Sequence, residues 1–184
     1  MGMGTLFAFI AYFGGNAWVL SVLGFFLALL LLLEYERKVH PGLYGWISVR
    51  SHGIFKEYTG FLLTDTYFVL SAFLVFALFP LSVGLAALLF STYGDALSTI
   101  VGVKFGRHRI FRQKSFEGFL SFLAGAFVIA FLVSVLPRHQ LPFALGLSGA
   151  LIAGLTELLS VPPDDNFSVT VFSGLAMFLA SWFA

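Results

Sequence analysis

The chain has 184 residues, of which 59% are hydrophobic and only 10% charged, with a formal net charge of +1. That composition leaves too little polar surface to cover a water-soluble globule, and the apolar runs are of membrane-spanning length. No cysteine is present, which excludes disulfides and thiolate metal sites. A single membrane domain over residues 1–184 is predicted. The N-terminal Met1-Gly2-Met3-Gly4-Thr5-Leu6 has no basic region and no small-residue cleavage site of a signal peptide. Leu6 stands where a myristoylation signal needs Ser or Thr.

Residues 3–33 are almost wholly apolar, interrupted only by Gly14-Gly15-Asn16. About 31 helical residues would reach about 46 Å, too long for one straight crossing and too short for two. The prediction is a first span over about 17–33, preceded by a tilted or interfacial piece hinged at Gly14-Gly15. A long polar connection follows from Glu34 to Tyr58, in which Tyr44, Trp46 and Tyr58 suit an interfacial belt. Further spans are predicted over 59–79 (ending at Pro80), 81–103, 116–136, 143–160 and 168–184. The fold class is all-α: a polytopic integral membrane bundle of about six transmembrane helices, with seven as the alternative.

Threading these spans puts 34–58, 104–115 and 161–167 on one side, with nine Lys and Arg, against Arg138 alone on the other. Pro80, the turn 137–142 and both termini fall on that second side. By the positive-inside rule the charged side is cytoplasmic, in a cell membrane or a membrane of the endoplasmic-reticulum type.

The richest chemistry lies between Tyr93 and Gly118. Gly94-Asp95, with Ser98 and Thr99, sits inside an apolar segment. Gly102 and Gly106 lead out of it, Lys104, Arg107, Arg109, Arg112 and Lys114 follow, and Ser115-Phe116-Glu117-Gly118 re-enters apolar sequence. Cations between two apolar walls, with carboxylates at both, suit a polyanion held by a metal, since phosphate oxygens take Lys and Arg donors and Mg²⁺ takes hard carboxylate oxygen. The glycines would let backbone approach a ligand closely.

An intramembrane carboxylate is costly unless paired or facing water, which makes each one a candidate. Asp95 is placed about two turns inside the third span, with Ser91, Ser98 and Thr99 on its face; a buried helix-pairing hydrogen bond is the bland alternative. Asp65, between Thr64 and Thr66, is placed equally deep in the second span and could simply pair with a loop cation. Glu117 opens the fourth span, where it could serve only the helix dipole, although Ser115 as a cap would leave free N–H groups there for an anion. The loop cations are also what topology alone would put on a cytoplasmic face. The four histidines have no metal-ligand spacing. Gly125, Gly146, Gly149 and Gly154 are expected to serve close helix packing. Glu157, followed by Pro162-Pro163-Asp164-Asp165-Asn166, reads as a cation or ribose site or as a charged turn.

The pattern Gly94-Asp95, Gly102, Gly106, basic residues and then Lys114-Ser115-Phe116-Glu117-Gly118 resembles the CTP-using membrane enzymes. These are the polyprenol (dolichol), phytol and diacylglycerol kinases and the related phosphatidate cytidylyltransferases. The resemblance runs over most of the chain after about Glu34. Glu157 with Asp164-Asp165-Asn166 is similar to the ending of the polyprenol and phytol kinases, and Arg50 with Glu57 resembles the kinase branch. The longer basic and Gly-rich ending of the cytidylyltransferases does not occur after Ser134.

The resemblance implies a membrane lipid kinase that moves the terminal phosphate of a nucleoside triphosphate, CTP by resemblance, to a lipid alcohol, with Mg²⁺ as cofactor. The expected roles follow. Asp95 holds Mg²⁺ or accepts the alcohol proton, with Glu117 or Glu157 as the other metal-side acid. Lys104, Lys114 and nearby arginines clamp the phosphates, and Asp164, Asp165 and Asn166 complete the nucleotide or metal site. The partners are CTP or another nucleoside triphosphate, the lipid alcohol and the bilayer; no nucleic acid is expected. A CTP-dependent lipid cytidylyltransferase and a small ion-coupled transporter are the alternatives.

Overall fold

The computed structural model describes residues 2–39, 62–111 and 114–183. Arg50, Glu57, Arg112 and the aromatic Tyr44, Trp46 and Tyr58 lie outside the described residues. The helices are α1 (Gly2–Val39), α2 (Thr64–Leu78), α3 (Leu81–Phe105), α4 (Phe116–Val135), α5 (Phe143–Leu159) and α6 (Asp165–Ala180). Two short antiparallel strands, β1 (Arg109–Phe111) and β2 (Lys114–Ser115), join α3 to α4. The described residues are all-α apart from this hairpin, which stands where a loop was expected.

Three helices, α1, α3 and α4, are long and apolar enough to cross a membrane, while α2, α5 and α6 are apolar but shorter. Large apolar side chains cover the outside: Trp18, Phe25, Leu32, Val128, Phe131 and Leu132 are all exposed. A contiguous apolar exterior is costly in water and suits a lipid environment. Several helical hydroxyls donate to carbonyls one turn back, as in Ser134 to Phe131 at 2.7 Å and Thr156 to Ile152 at 2.7 Å, so these present no unpaired donor to an apolar medium.

The first helix is not straight. Gly15 leaves helical geometry at φ 79, ψ −173, a conformation that glycine alone adopts freely. Phe7 and Phe26 then meet at 5.8 Å between ring centroids, although nineteen residues of straight helix would part them by about 28 Å. Residues 2–14 therefore fold back antiparallel on 16–39. The predicted hinge is present, but the piece before it packs into the bundle. Phe7 and Ala11 are fully buried beside Val19 and Leu23.

This fold-back corrects the placement of the N-terminus. Gly2 and Met3 border a cavity with Asp95, while the Tyr12 ring lies 6.2 Å from that of His139. The N-terminus thus shares the end that holds Asp95, not the end of Pro80 and the 137–142 turn. The polar connection also begins later than predicted, because the helix continues to Val39. Glu34 is buried within it, paired with Arg37 at 2.7 Å, and accepts from the Leu63 N–H and from Thr66 Oγ1 at 3.3 Å. That carboxylate anchors the start of α2, which lies at Thr64 rather than at residue 59.

Small residues set the spacing of the remaining helices. A Cβ at Gly146 would meet Ala130 Cβ at 2.9 Å, and one at Gly149 would meet Met177 Sδ at 2.6 Å. These close approaches are the packing role expected for the glycines of α5. Ala86, Phe90, Phe122, Ala126, Ala150 and Met177 form the interior between α3, α4, α5 and α6.

Candidate functional site

Helix α3 carries a π-helical turn over Phe90–Gly94, immediately before Asp95. Such a turn adds a residue to the helix and swings the following side chain, and it is common at functional sites. Gly94 lets that turn pack closely on α4: a Cβ there would lie 2.7 Å from the ring of Phe122. Asp95 is half-buried about ten residues, or about 15 Å, from the end of α3. It is within electrostatic reach of Glu157, Lys114, Asp165 and Asp164.

Lys114, on β2, is the hub of that group. Its Nζ lies 2.8 Å from Glu157 Oε1 and 3.1 Å from Asp165 Oδ2. Ser98 Oγ donates to the same Glu157 oxygen at 2.8 Å. Four elements therefore converge: α3 through Asp95 and Ser98, the hairpin through Lys114, α5 through Glu157, and α6 through Asp165. Burial alone would lower the Lys114 pKa, but hydrogen bonding and charge from Glu157, then from Asp165, outweigh it and raise the pKa above the ordinary lysine value. The ammonium is thus charged at neutral pH.

The turn between α5 and α6 is built for the same place. Ser160 takes left-handed geometry at φ 46, and Ser168 Oγ donates to the Val161 carbonyl at 2.8 Å. Asp164 caps α6, accepting from the N–H groups of Asn166 at 3.0 Å and Phe167 at 3.4 Å. Burial raises the Asp164 pKa despite those hydrogen bonds and one from Thr64. Ser91 Oγ, on the π turn, donates to Asn166 Oδ1 at 3.2 Å. The predicted last span thus starts earlier, at Asp165, and the acids belong to its cap and first turn.

Two cavities, each of about 420 Å³, meet at Asp95. The first is walled by residues 160–166, including Asp164, Asp165 and Asn166. The second lies between Gly2–Gly4, the start of α2 with Thr64 and Asp65, and the π turn. A larger apolar groove of about 740 Å³ runs between α3 and α4 past Tyr93, Leu97 and Gly125. No charged side chain lines that groove, so the chemistry belongs to the two smaller cavities.

Several predicted site residues lie elsewhere or have other duties. Lys104 is exposed at the last turn of α3, its ammonium over the Phe105 ring at 5.4 Å. Nine residues of helix put it on the face opposite Asp95. Arg107 and Arg109 are exposed on the hairpin side. Glu117 does not line either Asp95 cavity. It accepts from the N–H groups of Arg107 at 3.2 Å and His108 at 3.3 Å, and meets His108 Nδ1 at 2.7 Å. That is a clasp closing the hairpin onto α4.

Ser115 caps α4 as predicted, accepting from the Gly118 N–H at 3.1 Å. Its Oγ would lie 3.2 Å from a Cβ at Gly102 and 2.7 Å from one at Gly106, so these glycines admit the serine rather than a ligand. Asp65 sits in the first turn of α2 and is exposed, not two turns deep. It nonetheless faces the second cavity with Asp95. Neither the buried Glu34 nor the clasp residue His108 stands out in the sequence as a site residue. An acid three residues before Arg37 was the available signal for Glu34; His108 offered only its place among the cations.

Among the described residues, no three acidic or histidine side chains gather closely enough to hold a metal by themselves. Glu157, expected on the metal, is taken by Lys114 and Ser98. Mg²⁺ commonly uses only one or two carboxylates and completes its shell with water and substrate phosphates. Asp95 and Asp165, on one cavity wall, fit that donor set. No family model matches the chain, and no curated protein or solved structure matches it either. The resemblance to the CTP-using lipid kinases rests on its motif residues.

Proposed function

We propose that this chain is a membrane lipid kinase that transfers the terminal phosphate of a nucleoside triphosphate, CTP by resemblance, to the hydroxyl of a lipid alcohol. The observation that carries the reading is the placement of Lys114 against Glu157 and Asp165 beside Asp95. A lysine held charged by two acids, next to a polar cavity and a further carboxylate, suits phosphoryl transfer, which depends on positioning and charge neutralisation.

In this reading the bundle crosses the bilayer with the Asp95 end on the cytoplasmic face. Among the described residues, Arg37, Lys38, Lys104, Arg107, Arg109 and Lys114 lie in or beside that end and Arg138 lies at the other, in keeping with the positive-inside rule. With residues 2–14 folded back, the described residues form seven helical legs. Asp95 accepts the proton of the alcohol as its oxygen attacks the terminal phosphorus. The bond from that phosphorus to the bridging oxygen breaks, and the nucleoside diphosphate leaves. Lys114 neutralises the phosphate oxygens, and Glu157 and Ser98 hold its ammonium in place. Asp95 and Asp165 would hold Mg²⁺, which would supply further charge neutralisation. The lipid tail stays in the bilayer, so only its hydroxyl has to reach the cytoplasmic boundary.

Label position tests this. Membranes carrying the protein are incubated with CTP labelled at either the terminal or the innermost phosphate, with dolichol, phytol or diacylglycerol as acceptor and phosphatidate as control. Terminal label on a lipid alcohol is expected. Innermost label on phosphatidate would mean cytidylyl transfer, and no lipid label from any nucleotide would end the kinase reading.

A further inference from the structure

Asp95 borders two separate cavities, and their walls differ in kind. The first is closed by the turn 160–166 between α5 and α6, at the end of the bundle that carries Lys114 and the hairpin. The second is roofed by the start of the folded-back leg of α1 and floored by the first turn of α2. Met3, which lines this cavity, is 40% exposed, and Leu6, further along the same leg, is 50% exposed, so the second cavity opens beside exposed apolar side chains. Met3 and Phe68 add apolar surface to its lining, beside Asp65, Asp95 and Asn166. The leg is seated closely, for a Cβ at Gly4 would collide with the Thr92 side chain.

Resting on the kinase reading, we propose that the two substrates approach Asp95 from opposite sides. The acceptor alcohol places its hydroxyl in the cavity between residues 2–4 and 64–68, and the nucleotide phosphates occupy the cavity at 160–166. A lipid held in the bilayer reaches its hydroxyl between the leg and α2 without crossing the charged hairpin. The charged lining of the first cavity is Asp95, Asp164 and Asp165, and the cation a polyanion arriving from water meets there is Lys114, 3.1 Å behind Asp165 Oδ2. Asp95 is shared by both cavities and so meets the hydroxyl and the phosphate at once. Asp65, on the α2 side of the acceptor cavity, accepts the hydroxyl hydrogen bond and orients the alcohol before its proton passes to Asp95. The fold-back at Gly15 thereby acquires a purpose: it brings the N-terminal residues over the acceptor cavity.

The test uses the full chain in nanodiscs and a C20 isoprenoid alcohol carrying a diazirine within two carbons of its hydroxyl. After irradiation, labelled peptides are mapped by mass spectrometry. Labels at residues 2–4 or 64–68, competed by unlabelled alcohol and not by a non-hydrolysable CTP analogue, are expected. Labels confined to 160–166, or at neither place, would overturn the assignment. In parallel, Met3→Trp should fill the cavity and raise KM for the alcohol about tenfold while leaving KM for the nucleotide unchanged. Equal rises in both would count against separate cavities. Cross-linking reads occupancy without turnover, so a failed kinase assay with labelled 2–4 or 64–68 would sink the kinase reading alone.

Discussion

Replacing Lys114 with Met separates what the lysine does for the fold from what it does for the reaction. Glu157 is 4% exposed and takes Lys114 at 2.8 Å; without that lysine it keeps only the Ser98 donor, also at 2.8 Å. Removing one member of a buried ion pair costs about 3–5 kcal/mol, because the other charge stays behind. Lys114 is itself 25% exposed beside a polar cavity, so the lower end, about 3 kcal/mol, applies. Glu157→Gln in the same chain removes the stranded charge and still accepts from Ser98. The double variant should therefore lie within about 1 kcal/mol of the native chain, a coupling of about 2 kcal/mol plus whatever Glu157→Gln costs alone. Its phosphoryl transfer should remain lost, since no ammonium faces the phosphates. Unfolding free energies in mixed micelles, measured on all four proteins, give the cycle. Effects that add to within about 0.5 kcal/mol would mean that the pair is not coupled, and the hub would then be misread.

Two further predictions concern the frame around the site. A Cβ at Gly106 would overlap the Gly102 carbonyl oxygen and lie 2.7 Å from Ser115 Oγ, whereas one at Gly102 meets nothing nearer than Ser115 Oγ at 3.2 Å. Gly106→Ala should thus cost about 2 kcal/mol by overpacking, and Gly102→Ala should be near neutral because helix propensity offsets the contact by about 1 kcal/mol; equal losses in thermal melts would contradict this geometry. The chain has no cysteine, so single cysteines report topology directly. Met3→Cys and Arg107→Cys should react with impermeant maleimide from one side of sealed vesicles and Pro80→Cys from the other, and Met3→Cys grouping with Pro80→Cys would refute the fold-back of residues 2–14.

The helices themselves were legible because long apolar runs punctuated by Pro80, the 137–142 turn and Pro162-Pro163 leave few ways to thread the chain. Asp95 was legible for a similar reason, since a carboxylate with Ser98 one turn away stands out against apolar neighbours. The fold-back at Gly15 was only half visible: the hinge residues show in the sequence, but the direction of the leg depends on Phe7 meeting Phe26. Which cations reach the site was not legible from charge alone. Lys104 and Lys114 look equivalent in the sequence, yet helical phase turns one away while the β-hairpin carries the other back onto Glu157. The acids divide likewise. Glu157 is engaged by Lys114 away from the cavity wall and Glu117 by the hairpin backbone and His108, whereas Asp95, the helix cap Asp164 and Asp165, itself 3.1 Å from Lys114, line the cavity. Such divisions depend on contacts between residues up to 75 positions apart, as between Ser91 and Asn166, and no local pattern encodes them.

The central claim is that Asp95 is where a phosphate and a lipid hydroxyl meet. The most direct measurement compares purified native chain with Asp95→Asn in nanodiscs, following terminal phosphate from CTP onto a C20 isoprenoid alcohol while monitoring folding by thermal melting. The amide keeps the shape of the side chain but can neither take the proton nor add negative charge for a metal. The account predicts a loss of about a thousandfold or more in kcat, of the order expected when a catalytic base is removed, with a melting temperature close to that of the native chain. Turnover within about tenfold of native from a folded Asp95→Asn protein would contradict it.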